Sequence, residues 1–178
     1  YIARYPEVEF HQFERNQSEI FDGLRGAALD VALTYDLAIP PDLDFLPLVA
    51  LPPVAVLPED HPLSSRDALT PEDLAAYPMI LLDLPLSADY FLSCFTAVGV
   101  RPQVTERSRD MAVVLSLVAN GFGYSIVNIR PVAERAPDGR PLRYVPLSGP
   151  VRSMRMGLAV AEGAMASQTI RAFVHHCQ

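Results

Sequence analysis

Residues 111–127 read MAVVLSLVANGFGYSIV, an apolar helical face, a tight stop and a buried strand laid end to end. Met111, Val114, Leu115 and Val118 fall at i, i+3, i+4 and i+7, which predicts one buried face of an α-helix. Asn120-Gly121 ends that helix in the manner of a left-handed C-cap. The run GYSIV, 123–127, then leaves no room for a polar face and reads as a strand. Upstream, residues 103–107 read as another strand, and Ser108 is placed to cap the intervening helix.

Working outward, the same alternation continues. Residues 79–83 (MILLD) read as a buried strand, and Ser87 as the cap of a helix running to Gly99. Thr70, Pro71, Glu72 and Asp73 supply an N-cap, a proline at the first helical position and an acidic first turn. Residues 44–50 and 52–58 are strand candidates, and DVALTY, 30–35, suits a strand buried on both sides. Asn16 followed by Glu19 fits a capping pattern, with Ile20, Phe21 and Leu24 on one helical face and a stop at Gly26. Residues 7–13 (EVEFHQF) read as a strand entered through Pro6. Towards the other end, 143–147 and 154–161 read as strands. A last helix carries Ile170, Phe173, Val174 and Cys177 on one face. Strand and helix alternate throughout, so the predicted class is α/β with mainly parallel sheets.

Composition narrows the function classes. The 178 residues are 50% hydrophobic and 20% charged, enough apolar surface for a folded core. The net charge of −7, with no block of basic residues, argues against nucleic-acid binding by this chain. Cys94 and Cys177 lie far apart and outside any CxxC or Cys/His pattern, and read as thiols of a reducing, cytoplasmic compartment. No apolar run reaches the length of a membrane span. The chain starts at Tyr1, not methionine, and is expected to be a fragment of a longer protein.

Polar residues at helix starts are the best candidates for binding. Asn16-Gln17-Ser18, Ser87 and Ser108-Arg109-Asp110 each open a predicted helix. There, free N–H groups and the positive end of the dipole favour a carboxylate. Capping alone, worth about 1 kcal/mol, explains any one of them. Thr34 and Tyr35 end a strand, and Tyr124, Ser125 and Asn128 follow the Gly121-x-Gly123 turn. GFGYS is not a phosphate loop, since it lacks the third glycine and follows a helix. It is not a nucleophile elbow either, with Val at 127. Arg130 reads equally well as an acid-binding group or a surface residue. His175 and His176 are adjacent on a helix, so they point about 100° apart and do not suit a metal. His61 reads as part of a Glu-Asp-His-Pro turn, and Asp83, Asp89 and Glu106 form no general acid/base pair. No catalytic residue, metal site or cofactor is expected.

Six segments, in order, resemble the regulatory domain of LysR-type bacterial transcriptional regulators. They are YPEVEF (5–10), GLRGAALDVALTY (23–35), PLVALPPVAVLPEDHPLSS (47–65), LTPEDLAAYPMILLD (69–83), SLVANGFGYSIV (116–127) and ASQTIRAFVHHC (166–177). The resemblance implies a fold like type-2 periplasmic binding proteins, two α/β lobes joined by two crossover strands. It places one lobe at 1–56 plus 161–178 and the other at 57–160. It implies a small, acidic effector held between the lobes by Asn16, Gln17, Thr34, Tyr35, Ser87, Ser108, Arg109, Ser125 and Asn128. It implies a homodimer, tetrameric in the full-length protein, with the 7–13 strand and the 109–119 helix as pairing surfaces. DNA is expected only through an N-terminal winged helix-turn-helix that this chain lacks. The family's first strand and most of its first helix are also missing, together with the Ser or Thr that helix contributes to the effector site. Two other readings use the same bilobal fold. A biosynthetic dehydratase or transferase would need a catalytic Thr-Arg-Phe triplet or a cofactor cysteine in context, and neither is found. A periplasmic solute-binding protein would need a secretion signal.

Overall fold

The computed structural model describes residues 1–178. By internal packing the chain divides into two units, 1–50 with 155–178, and 51–154. The chain therefore passes between units at 50/51 and 154/155, where the sequence reading placed the passages at 56/57 and 160/161. The reason is strand pairing, which assigns each crossover segment to the sheet that takes its hydrogen bonds.

The first unit holds α1 (Gln17–Arg25), β1 (Ala32–Tyr35) and β2 (Leu43–Leu51). It also holds nearly all of β8 (Met154–Ala161), and α5 (Gln168–Cys177). The sheet order is β1-β8-β2. β2 carries Pro47 and sits at the edge, where a missing N–H costs no ladder bond. α1 forms as expected. Asn16 accepts the Glu19 N–H, Glu19 accepts the Asn16 N–H, and Phe21 and Leu24 are buried. β1 is not the doubly buried parallel strand that DVALTY suggested. It pairs antiparallel with β8, and Leu33 is 57% exposed, because only one face of the sheet is covered there. Asp36, just past β1, fixes the start of β8 by accepting from the Arg155 backbone N–H at 2.8 Å and from Arg155 Nε at 2.7 Å.

Residues 7–13 form no strand. No neighbouring strand takes their ladder bonds. Phe10 stacks instead against Phe173 of α5 at 5.9 Å, while Tyr1 meets the same ring edge-on at 5.0 Å. Aromatic packing on a helix thus replaces the alternating pattern's usual outlet, a sheet face.

The second unit contains β3 (Val54–Pro58), α2 (Pro71–Leu74), β4 (Pro78–Leu82), α3 (Ser87–Thr96) and β5 (Gln103–Ser108). α4 (Met111–Ala119), β6 (Ser125–Val127) and β7 (Leu142–Pro146) complete it. β3 is central and antiparallel to both β6 and β7. β4 and β5 pair in parallel, and a parallel bridge from Met79 to Tyr124 sets β4 beside β6. The prediction of mainly parallel sheets holds only for this β5-β4-β6 part. β3 pairs antiparallel with β6 and β7, strands that follow it only after α2, β4, α3, β5 and α4. Val114 and Val118 of α4, Ile80 and Leu81 of β4, and Ile126 of β6 are 0% exposed. Each such aliphatic side chain contributes roughly 1.5–3 kcal/mol of burial free energy.

Candidate functional site

In the second unit the parallel strands end together. Leu82 of β4 is in register with Ser108 of β5, and the Asp83 N–H donates to the Ser108 carbonyl at 2.8 Å. β6 runs the same way on the other side of β4, which brings Asn128 to the same carboxyl end. Two helices start just beyond these ends, α3 at Ser87 and α4 at Met111. Ligands of open α/β sheets bind at such places.

The two helix starts differ chemically. The sequence reading made Ser108 the cap of α4, but the cap is Asp110, whose carboxylate accepts the Ala112 N–H at 2.7 Å. Ser108 ends β5 two residues earlier, and its Oγ accepts from the Asp110 N–H at 3.2 Å. The pattern Met111-Val114-Leu115-Val118 already fixed the first helical residue, and the residue immediately before it is Asp110. Ser87 was likewise expected to be a cap. It is instead the first helical residue, and the cap position is Leu86, with φ 65 and no side-chain hydrogen bond. A leucine in the left-handed region is strained, and strain of this kind concentrates at functional sites. α4 thus opens under a carboxylate, whereas α3 opens without any capping side chain.

Tyr90, one turn along α3 and unnoticed in the sequence, links this end to the rest of the unit. Its hydroxyl donates to the Arg152 carbonyl at 2.7 Å and accepts from Asn128 Nδ2 at 3.1 Å. Asn128 Nδ2 also donates to the Leu51 carbonyl at 2.8 Å, and Asn128 Oδ1 is buried without a protein partner. Leu51 and Arg152 both lie beside a passage of the chain into the other unit. Burial pushes the Tyr90 hydroxyl above the usual tyrosine range, so it remains a neutral donor.

Ser125 is 0% exposed and its Oγ is unpartnered, next to Val56 in the ladder. Arg109 is exposed. Arg130 forms an ion pair with Glu134 four residues on.

In the first unit, Gln17 opens α1 and is brought onto the end of β1. Its Nε2 donates to the carbonyls of Tyr35 at 2.7 Å and Leu37 at 3.0 Å. Its Oε1 is buried and has no protein partner. Thr34 is buried, Tyr35 half-buried and Asn16 exposed. Burial raises the Tyr35 hydroxyl above its ordinary range, keeping it protonated.

Residues 1–178 match the family described as LysR substrate binding domain. The chain belongs to that family. The Transcriptional activator protein LysR of Escherichia coli strain K12 is 27% identical over 179 residues. That match takes in 100% of this chain and 57% of the relative. The C-terminal domain of a probable LysR family transcriptional regulator from Rhodococcus sp. RHA1 superposes with a TM-score of 0.93 at 30% identity, covering 99% of this chain and 87% of that one. The effector binding domain of QuiR, solved in complex with shikimate, shares the fold at a TM-score of 0.81 and 22% identity, with 99% and 86% of the two chains covered. This LysR domain spans about half the length of the curated relatives it matches.

Several other chemistry-bearing residues of the LysR domain have local partners. His61 Nδ1 accepts the Leu63 N–H at 3.2 Å and its ring packs on Tyr77 at 4.6 Å. Burial lowers its pKa and favours the neutral ring. Asp83 pairs with Arg107 at 3.4 Å. His175 and His176 lie in the last turn of α5, and no cluster of His, Cys, Asp and Glu is fit to hold a metal ion. Cys94 and Cys177 are free thiols. No helix is long and apolar enough to cross a membrane.

Proposed function

We propose that this chain is the effector-sensing part of a cytoplasmic bacterial LysR-type DNA-binding regulator, without catalysis of its own, and that its effector is a small carboxylate. Family membership supports the sensing role. The observation that carries the ligand class is the uncapped start of α3, where Leu86 is held at φ 65 and Ser87 follows. No side chain accepts at the start of α3, where the Ala88 N–H meets the Leu84 carbonyl and the Tyr90 N–H the Leu86 carbonyl, and the helix dipole adds positive potential. A carboxylate satisfies both without a cluster of cationic side chains, which suits a chain of net charge −7. Asp110 caps α4 with a carboxylate, whereas α3 has Asp89 in its first turn but no capping side chain, so Ser87 is proposed at the anion position and Ser108 as a flanking hydroxyl.

Asn16, Gln17, Thr34 and Tyr35 in one unit, and Ser87, Ser108, Arg109, Ser125 and Asn128 in the other, are the proposed ligand-facing groups. A ligand shifts a regulator only through different affinities for two states. The homodimer is proposed through α4, and DNA is bound by a part of the regulator outside this chain.

The test is calorimetric titration of the chain with a panel of small carboxylic acids, shikimate among them. Ser87→Ala should weaken binding about two- to tenfold, the equivalent of one net hydrogen bond. Ser108→Ala should have a smaller effect. Failure of every acid to bind, or unchanged affinity in Ser87→Ala, would falsify the assignment of the carboxylate to α3.

A further inference from the structure

Tyr90 and Asn128 share a run of hydrogen bonds whose direction is fixed by its two ends. The Leu51 and Arg152 carbonyls can only accept. The Tyr90 hydroxyl therefore gives its single hydrogen to Arg152, at 2.7 Å, and must accept from Asn128 Nδ2, at 3.1 Å. Asn128 Nδ2 gives its other hydrogen to Leu51, at 2.8 Å. Every hydrogen in the run is committed and none can reverse. Tyr90 is 5% exposed, so its hydroxyl is not free to exchange these partners for bulk water.

The ends of the run lie far apart in sequence. Leu51 opens the second unit, and Arg152 lies two residues before its end at Met154. The two side chains therefore tie together both segments by which the chain leaves this unit. Each side chain holds one carbonyl directly and the other only through its neighbour. Hydrogen bonds in such a run polarise one another, so losing one member weakens the rest. Tyr90 is also bonded to the strained start of α3: its N–H donates to the carbonyl of Leu86, the residue held at φ 65, at 3.3 Å.

We propose that Tyr90 and Asn128 form a two-ended clasp, a conformational device through which both connecting segments of the second unit are held or released together. A two-state change needs an element that switches as a whole, and the clasp gives the two segments one equilibrium in place of two. A ligand at the start of α3 would act on the clasp through Leu86 and Tyr90. That use of it rests on the proposed reading of Ser87, and the clasp itself does not.

The test needs no ligand, so its failure leaves the sensor reading intact. The carbonyl 13C resonances of Leu51 and Arg152 are followed in the wild-type 178-residue chain, Tyr90→Phe, Asn128→Leu and the double variant. A carbonyl that loses a hydrogen bond moves upfield. Tyr90→Phe should move Leu51, which Tyr90 reaches only through Asn128, as well as Arg152. Asn128→Leu should move Arg152, which Asn128 reaches only through Tyr90, as well as Leu51. In urea each single variant should raise the unfolding constant about two- to tenfold. The double variant should raise it by less than the product of the two. Shifts confined to the carbonyl that each side chain holds directly, or a double variant equal to the product, overturn the proposal. The wild type supplies a second reading where a variant does not fold. Solvent exchange of the Tyr90 hydroxyl proton and of the Asn128 side-chain amide protons should follow one urea dependence, shallower than that of global unfolding. Two different dependences, or opening only by global unfolding, overturn the clasp.

Discussion

Two glycines of one turn give the sharpest test of the packing. Gly121 (φ 81) and Gly123 (φ 152) both have backbone angles that L side chains rarely adopt, yet their surroundings differ. A Cβ on Gly121 meets nothing within 4 Å. A Cβ on Gly123 would lie 2.3 Å from the Pro78 carbonyl oxygen and 2.9 Å from its carbon, and these are backbone atoms with no rotamer to yield. Gly121→Ala should therefore cost only the backbone strain, about 1–2 kcal/mol. Gly123→Ala adds forced separation of β6 from β4, typically about 1–3 kcal/mol. It also endangers two hydrogen bonds, Tyr124 N–H to Pro78 O at 2.9 Å and Ile80 N–H to Tyr124 O at 2.8 Å. These are worth roughly 0.5–1.5 kcal/mol each. The total is about 3–8 kcal/mol, a large part of the roughly 5–15 kcal/mol that holds a domain folded. Urea unfolding of the two variants beside the wild type measures the difference. A Gly123→Ala midpoint within about 1 kcal/mol of Gly121→Ala would show that β4 and β6 do not approach as described.

Two further predictions concern a thiol and a surface. Burial pushes the Cys94 thiol from 9.0 up to about 11. The folded chain therefore holds this proton where the unfolded chain loses it. Stability from this group is full below about pH 9 and is lost as pH rises through about 11, roughly 3 kcal/mol in all. Wild-type minus Cys94→Ala stabilities at about pH 8 and pH 10.5 should differ in that sense, and a pH-independent difference would contradict it. Val113 on α4 (45% exposed) and Phe122 just past its end (57%) line a shallow apolar groove with Ala112 and Leu117. Val113→Glu should shift a dimer towards monomer in sedimentation equilibrium, and a wild type monomeric at all attainable concentrations would remove the basis for pairing.

Elements set by local chemistry were legible in the sequence. The Asn16/Glu19 and Thr70/Asp73 capping boxes, the Asn120-Gly121 stop and the α4 face all follow from residues within one or two turns. Register and pairing direction were not, because they depend on what lies beside a strand in space. DVALTY reads as a doubly buried strand, yet it is half-exposed beside an antiparallel partner far along the chain. The candidate site divides the same way. The polar helix starts were visible, but capping was assigned to Ser87 and Ser108 where Leu86 and Asp110 hold those positions. A cap one or two residues off is a local error with a chemical consequence, since it decides whether a carboxylate, a hydroxyl or no side chain caps the helix. Tyr90, 62 residues from the carbonyl it holds, carries no local signal.

All fourteen basic residues of this acidic chain are arginine. Several meet a carboxylate directly, as in Arg25 on both oxygens of Asp42, Arg155 on Asp36 and Arg107 on Asp83. The planar guanidinium suits such paired contacts, and each pair cancels its own field. Positive charge is thereby consumed at particular places, and the excess of carboxylates leaves the chain at −7. The proposed ligand-facing groups other than Arg109 are neutral, and two carboxamide oxygens among them, Gln17 Oε1 and Asn128 Oδ1, have amide hydrogens already engaged. Neutral donors and acceptors discriminate by position more than by net charge, and a buried one left unmet penalises the wrong ligand. A sensor that must distinguish one small metabolite from many of equal charge needs that property, and neutral groups of the kind proposed here have it.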